Sequence, residues 1–396
     1  MPPIASPSTL IKAQNSFGLT LVQKSVAASA SKNVFLSPLS VYAALALAMD
    51  GAAGTTRAAF AEVLFGEALA PGEAEQPLAL AKQLRRLGEH KDGQAVLSIA
   101  SSLWADQRFA LATEFVARAH ALYQAEAATL DFTAPDAAAT INAWAQRETH
   151  GRITEIVSRS MLAGPPPAAL VLLNAVYFQA RWSREFNPAD TKPGVFTRAD
   201  GTTEQALFMH QASAQLGYLA GDGWQAVALP YEGYPRRTSM LVFLPNEPQG
   251  LPAFLAKLNA PQWAAWHEAL GSRTERLEVD LALPRFRLEW SSDLAGTLKT
   301  MGLAPAFGAD ADFSPLGFRA EDGGFIGAVL HNTFLAVDEQ GTEAAAVTAL
   351  IMIGGSGRPL VPPRRVEVRV ESPFFCAIVD DETGAILFAG AIRTLA

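Results

Sequence analysis

The most informative stretch of the 396-residue sequence runs from Glu339 to Leu350 and reads EQGTEAAAVTAL. Its alanine content favours a helix that begins near Thr342, and on composition alone this is the preferred interpretation. A strand is the second interpretation, since side chains alternate between the two faces of a strand. One face would then carry Thr342, Ala344, Ala346, Thr348, Leu350 and Met352, and the other Glu343, Ala345, Val347, Ala349, Ile351 and Ile353. The first face has no charge, so this stretch could enter the interior of a β-sheet without burying an ion.

The rest of the chain divides into a helical first part and a strand-rich second part. Helical spacing of apolar residues, with a Ser37-Pro38 start signal, predicts helices over residues 11–26, 38–49, 58–64 and 137–149. Apolar runs and alternating patterns predict strands over residues 170–178, 277–283 and 366–371, and a buried hairpin over 374–392. The apolar phase shifts after Pro284, which indicates a bulge or bend there. Helices followed by strands, without βαβ alternation, predict an α+β fold.

The chain is expected to form one domain over residues 1–396, because no tandem repeat or long linker divides it. The Pro/Gly-rich segment 354–363 resembles a linker in composition. Only strand-like sequence follows it, and that remainder is too short for a separate domain. We therefore expect this segment to belong to a long exposed loop inside the single domain.

Composition excludes several classes of protein. The 31 basic and 39 acidic side chains give a net charge of −8, which argues against nucleic acid as the main partner. With 49% hydrophobic and 18% charged residues, a disordered chain is excluded. No apolar run reaches the roughly 18 residues of a membrane span, so no membrane partner is expected. The N-terminal sequence lacks a secretory signal layout, which fits a cytoplasmic protein or an extracellular or periplasmic one whose signal was trimmed.

Motifs for catalysis, metals and cofactors are weak, so no catalytic residue, metal site or cofactor is predicted. The single cysteine, Cys376, excludes a disulfide framework and a CxxC pair, and the six histidines show no ligand spacing. The sequence GGSGR at 354–358 lacks the closing glycine of a GxSxG elbow. A hydrolase that uses Ser356 is therefore the least favoured function.

Several motifs in the correct order resemble the serpin family along nearly the whole chain. The EQGTEAAA sequence at 339–346 matches the hinge of inhibitory members, whereas non-inhibitory relatives usually carry bulky or charged residues at its small positions. The other matching segments are NVFLSPLS at 33–40, LNAVYF at 173–178 with Trp182, DADFS at 310–314, His331, and PFF at 373–375 with Gly390. The resemblance implies a monomer with the serpin fold: a helical N-terminal part, three β-sheets and an exposed reactive-centre loop at about 339–363.

The resemblance also implies roles for individual residues. The hinge would comprise Glu339, Gly341, Thr342, Glu343, Ala344, Ala345 and Ala346. A polar cluster beneath the main sheet where strands part, the shutter, would comprise Ser37, Ser40, Asn174 and His331, although four unrelated core residues are the alternative. Trp182 and Arg285 would lie with Glu339 at the breach, the top of the sheet where insertion begins. An exposed Arg285–Glu339 ion pair, worth about 0–1 kcal/mol, would tune loop release more than stability.

The implied function is suicide inhibition of a serine protease, with the cleaved loop inserted into the main sheet. Family spacing from Glu339 places the reactive bond at Gly355–Ser356, with Met352 and Arg358 as alternatives because the loop is longer than usual. Pro359 disfavours cleavage after Arg358, and the apolar residues 350–353 favour an elastase-like or subtilisin-like protease. The alternative function is a non-inhibitory serpin-fold binding or chaperone protein that is cleaved as a substrate.

Overall fold

The computed structural model describes residues 7–29, 31–66, 95–164, 168–233, 238–271, 277–318, 324–342 and 364–395. The helices that position the site lie mainly in the first part, as predicted. Their bounds are α1 (Pro7–Ala28), α2 (Pro38–Asp50), α3 (Gly54–Phe65), α4 (Thr113–Tyr123), α5 (Ala137–Glu148), α6 (Arg159–Ala163), α7 (Leu251–Lys257), α8 (Ala260–Gly271) and α9 (Ala295–Leu298). None of the helices in these ranges is long and apolar enough to cross a lipid bilayer.

Strands occupy most of the remaining described residues. Their bounds are β1 (Val34–Leu36), β2 (Ala95–Asp106), β3 (Glu126–Leu130), β4 (Leu170–Arg181), β5 (Lys192–Thr197), β6 (Thr203–Ala214), β7 (Gly217–Gly221), β8 (Trp224–Pro230), β9 (Thr238–Pro245), β10 (Leu277–Pro284), β11 (Phe286–Asp293), β12 (Ile326–Val337), β13 (Gly341–Thr342), β14 (Arg364–Arg369), β15 (Phe374–Asp380) and β16 (Ile386–Ile392). The mixture of helices and sheets confirms the predicted α+β class.

The strands form three sheets. The main sheet has the order β11-β12-β13-β4-β2-β3, the second sheet β1-β16-β15-β9-β8-β7, and a four-stranded sheet β14-β10-β6-β5. Arg285 alone separates β10 of the four-stranded sheet from β11 of the main sheet. The bend predicted after Pro284 is therefore confirmed, and its cause is the passage of the chain from one sheet to another.

Helix α2 begins where the sequence predicts and packs beneath the main sheet. The Ser37 hydroxyl accepts a hydrogen bond from the backbone N–H of Ser40, and Pro38 occupies the first turn, where a missing N–H costs nothing. Nearly every residue of the helix is buried, because it contacts strands of both the main sheet and the second sheet. This position brings the polar start of α2 directly under the main sheet.

Most residues of strand β4 are apolar and buried, and both of its faces are covered. Leu170, Leu172 and Val176 pack into the large core that contains α2. Val171 and Leu173 face the opposite side, in a second cluster with α5. The predicted central position of this strand is confirmed, and any strand that entered beside β4 would be covered on both faces as well.

Candidate functional site

The main sheet opens at its top, where the two-residue strand β13 lies between β4 and β12. Thr342 pairs in antiparallel register with Ala180 of β4 and also with Val337 of β12. Lower down, β4 and β12 pair directly with each other in parallel, over residues 170–177 and 326–334. The strand interpretation therefore holds for Gly341 and Thr342, and the rest of the stretch for which a helix was the first interpretation lies outside the described residues.

The segment predicted as an exposed loop, 339–363, begins with residues that the sheet buries. Glu339 is 4% exposed and Thr342 is fully buried, and Gly341 is buried as well. The burial of Thr342 agrees with its assignment to the uncharged inner face of the alternating pattern. The other predicted hinge residues, Glu343, Ala344, Ala345 and Ala346, and the reactive-bond candidates Met352, Gly355, Ser356 and Arg358 lie outside the described residues.

A tight turn leads from β12 into β13. The Asp338 carboxylate accepts hydrogen bonds from the backbone N–H groups of Gln340 (2.9 Å) and Gly341 (3.2 Å). The Trp182 indole N–H donates to the Asp338 carbonyl (2.9 Å), and the Trp182 backbone N–H donates to the Gln340 carbonyl (2.8 Å). A Cβ at Gly341 would lie 2.1 Å from the carbonyl oxygen of Ala180, so close strand packing requires glycine here.

The Glu339 carboxylate connects this turn to Arg285 and Thr191, which lie next to β10 and β5 of the four-stranded sheet. Arg285 Nε donates to its Oε1 at 2.7 Å, and the Thr191 hydroxyl donates to the same oxygen. The Phe186 backbone N–H donates to the Glu339 carbonyl at 2.8 Å. Burial acts to raise the pKa of Glu339, but the hydrogen bonds from Arg285 and Thr191 outweigh it, and the pKa is lowered.

The predicted Arg285–Glu339 ion pair is confirmed, but the expectation of an exposed pair was wrong. The Arg285 side chain is 41% exposed, whereas that of Glu339 is only 6% exposed. Removing one partner of such a pair leaves a largely desolvated group unpaired, which costs more than breaking a surface pair. The pair therefore holds the turn and also contributes to stability.

The four predicted shutter residues come together where β4 and β12 are directly paired. His331 Nε2 accepts a hydrogen bond from the Ser37 backbone N–H (2.9 Å), and its Nδ1 lies 3.3 Å from the Asn174 carbonyl oxygen. The Asn174 side-chain amide N–H donates a hydrogen bond to the Ser40 carbonyl (3.1 Å), and the Ser40 hydroxyl donates one to the Asn174 side-chain oxygen. The amide also donates to the Ser101 hydroxyl of β2 (3.1 Å). The cluster thus joins three strands to the start of α2. The four residues are hydrogen-bonded to one another, so the alternative that they are unrelated core residues does not hold.

His331 is neutral in this cluster. Burial lowers its pKa to about 3, and the hydrogen bond with the Asn174 carbonyl only partly opposes the effect. Because Nε2 accepts from Ser37, the ring proton is on Nδ1 and points to Asn174. A charged imidazole would lose the bond from Ser37, so protonation would destabilise the closed arrangement of β4 and β12.

Acidification is therefore expected to destabilise the folded protein through His331. Below the ordinary histidine pKa of about 6.5 the unfolded chain binds a proton that the folded chain does not. Stability should fall by up to about 1.4 kcal/mol per pH unit between about pH 6.5 and pH 3. Thermal midpoints at pH 7.5 and 5.0, at one scan rate, should drop more for the wild type than for His331→Gln. The control is His120→Gln, which removes an exposed histidine of α4; equal drops for the wild type and His331→Gln would contradict the assignment.

Four residues of the site were not predicted from the sequence. They are Ser101, Thr191, Tyr231 and Asp338. Asp338 precedes the hinge, and an acidic residue two or three positions before a glycine is a recognisable turn signal. The other three come from distant parts of the chain, and no local pattern marks them. Within the described ranges, no group of three or more His, Cys, Asp or Glu side chains could hold a metal ion.

Comparison with known proteins gives one consistent result. Residues 12–395 match the family model described as Serpin (serine protease inhibitor). The chain is 33% identical to Serpin-ZXA of Oryza sativa subsp. japonica over 92% of this chain and 91% of the rice protein. Its fold is similar to the crystal structure of Serpin48 of the insect Tenebrio molitor, with a TM-score of 0.83, 27% identity and 98% of each chain covered.

Another solved structure widens the range of activities found on this fold. Human thyroxine-binding globulin complexed with thyroxine superposes with a TM-score of 0.84 over 99% of this chain and 100% of the globulin. The identity is 24%, so this likeness concerns the fold alone.

Proposed function

The chain belongs to the serpin family, and we propose that it is an inhibitory member that traps serine proteases by inserting its cleaved loop into the main sheet. Members of this family are generally protease inhibitors rather than enzymes. The observation that carries the proposal is Thr342, which already occupies the position between β4 and β12 as a buried strand residue. Insertion would extend a strand that has begun.

The register of β13 predicts where the following residues would go. Continuing the pairing of Thr342 with Ala180 down β4 would place Thr348 beside Asn174, and continuing its pairing with Val337 along β12 would place Thr348 beside His331. The Thr348 hydroxyl would then lie among the polar groups of the shutter, Asn174 and His331. Met352 would reach Leu170, where β4 begins.

The outer face of the same stretch also suits this path. Residues 347, 349 and 351 would lie over the part of β4 that packs under α5, beside Ala175, Leu173 and Val171. These loop residues are Val, Ala and Ile, whereas the charged Glu343 would stay near the top of the sheet. The alternating pattern thus agrees with burial on both faces, which a helix does not require.

The mechanism follows from the chemistry of serine proteases. The protease attacks the loop and forms an acyl-enzyme, and the cut frees the residues after Thr342 to enter the sheet. The acyl-linked protease is carried along and its catalytic site is distorted before water can release it. Residues 342–352 would fill the length of β4, so a cut at Gly355–Ser356 leaves a short tether beyond the sheet. A cut after Met352 would leave no tether beyond the sheet. A cut after Arg358 is disfavoured because Pro359 follows it.

A protease panel tests the proposal. We expect a covalent adduct that survives denaturant when the protein meets an elastase-like or subtilisin-like protease, and no adduct when the protease's catalytic serine is blocked beforehand. The mass of the C-terminal fragment released from the adduct identifies the reactive bond. A nicked chain with no adduct across trypsin-like, chymotrypsin-like, elastase-like and subtilisin-like proteases would favour the alternative, a binding or chaperone protein that is only a substrate.

A further inference from the structure

Tyr231 places a hydroxyl group at the point where β13 enters the main sheet. Its oxygen lies 2.6 Å from Oγ1 of Thr342, and the two residues are 2% and 0% exposed. The Tyr231 ring is stacked on Trp182, with centroids 4.4 Å apart and planes 9° apart, and Phe178 contacts it edge-on at 5.2 Å. A ring enclosed in this way cannot turn its hydroxyl toward solvent.

The two hydroxyl groups satisfy each other. Neither is among the buried polar side-chain atoms that lack a partner in the described part of the chain. If Thr342 left the sheet, the Tyr231 ring would stay in its packed position and its hydroxyl would lose this bond. A buried polar group without its hydrogen bond is unfavourable, so the pair should favour the inserted hinge by roughly five- to tenfold.

The other contacts of the hinge hold the turn before β13 and do not involve the Thr342 side chain. Asp338, Trp182 and Arg285 hold the turn that comes before β13, through the backbone of 338–341 and the Glu339 carboxylate. Tyr231 instead contacts the side chain of Thr342, the first hinge residue whose side chain lies within the sheet interior. Fixing this side chain fixes both the register and the inward face of every residue that would follow it.

We propose that Tyr231 is a positioning residue for loop insertion, which holds Thr342 in the sheet before the loop is cut. The inference rests on the proposed inhibitory function. After cleavage the acyl-enzyme either hydrolyses or is trapped, and a strand that is already started enters the sheet sooner. Tyr231 therefore raises the fraction of cleavage events that end in a trapped protease.

Three variants test this role. Tyr231→Phe and Thr342→Val each remove one hydroxyl and preserve shape, and the double variant removes both. The matched control is Tyr42→Phe, since Tyr42 is also buried and its hydroxyl donates to the Leu64 carbonyl of α3 (2.9 Å), which is not one of the hinge contacts described above. Each single variant should speed hydrogen exchange of the Gly341 and Thr342 amides about five- to tenfold. The double variant should add little, because both changes delete the same bond.

The second measurement is the number of inhibitor molecules consumed per protease trapped, which should rise severalfold in Tyr231→Phe and Thr342→Val but not in Tyr42→Phe. Unchanged exchange at Gly341 and Thr342 would overturn the proposal, and so would faster exchange with unchanged consumption. If Tyr231→Phe does not fold, Thr342→Val decides, because it leaves the ring stack intact. A wild-type protein that traps no protease would contradict the proposed function, while the exchange data would still decide whether Tyr231 holds Thr342.

Discussion

Replacing Thr342 with arginine is expected to abolish inhibition while the loop remains a protease substrate. Thr342 is fully buried between β4 and β12, and its side chain meets the Tyr231 hydroxyl. A guanidinium group there would be desolvated without a carboxylate partner, at a cost of several kcal/mol. Insertion would stall at its first residue, and the acyl-enzyme would hydrolyse. Denaturing gels should show the nicked chain with the adduct reduced at least tenfold.

The control for this variant is Thr203→Arg, which makes the same change at an exposed position of β6. It should trap protease as the wild type does. Full adduct formation by Thr342→Arg would count heavily against insertion at this position of the sheet.

Cutting the loop is expected to raise the melting temperature of the protein. Insertion would add about ten backbone hydrogen bonds at about 1 kcal/mol each, together with apolar burial on both faces of the new strand. For a chain of this size, a gain on the order of ten kcal/mol corresponds to a rise on the order of 10 °C or more. The intact form is then metastable and persists because conversion is slow.

Thermal unfolding of the intact and nicked proteins, followed by circular dichroism, measures this gain. The nick is made with a protease that is then inactivated, and completeness is checked by mass. Nicked Thr342→Arg serves as the control, since its loop is cut but its hinge residue cannot enter the sheet. A similar rise in wild type and variant would show that the nick acts by some means other than insertion.

Local patterns were sufficient to predict the elements that build the site. The Ser37-Pro38 signal placed the start of α2, because a hydroxyl cap and an N-terminal proline act within one helical turn. The apolar run at 170–178 predicted a strand with both faces covered, and the phase shift after Pro284 predicted the change of sheet. Each of these signals depends only on residues that are close in sequence, so one amino-acid sequence is sufficient to recognise it.

The contacts that complete the site could not be predicted in the same way. Tyr231 and Thr342 are 111 residues apart, and Thr191 and Glu339 are 148 apart, so only the assembled sheets bring them together. The alanine-rich composition after Thr342 favours a helix, whereas Thr342 itself is a strand residue because it pairs with β4 and β12. The burial of Glu339 was missed for a related reason, since it depends on how the hinge turn packs against the four-stranded sheet.

A crystal structure of the nicked protein would reveal whether the cut loop enters the main sheet. The intact protein pairs His331 with Asn174 directly across β12 and β4. After cleavage we expect a new strand from Thr342 to Met352 between them, with Thr348 beside both residues. A nicked protein in which His331 still pairs with Asn174, and in which the loop lies outside the main sheet, would contradict the proposed insertion.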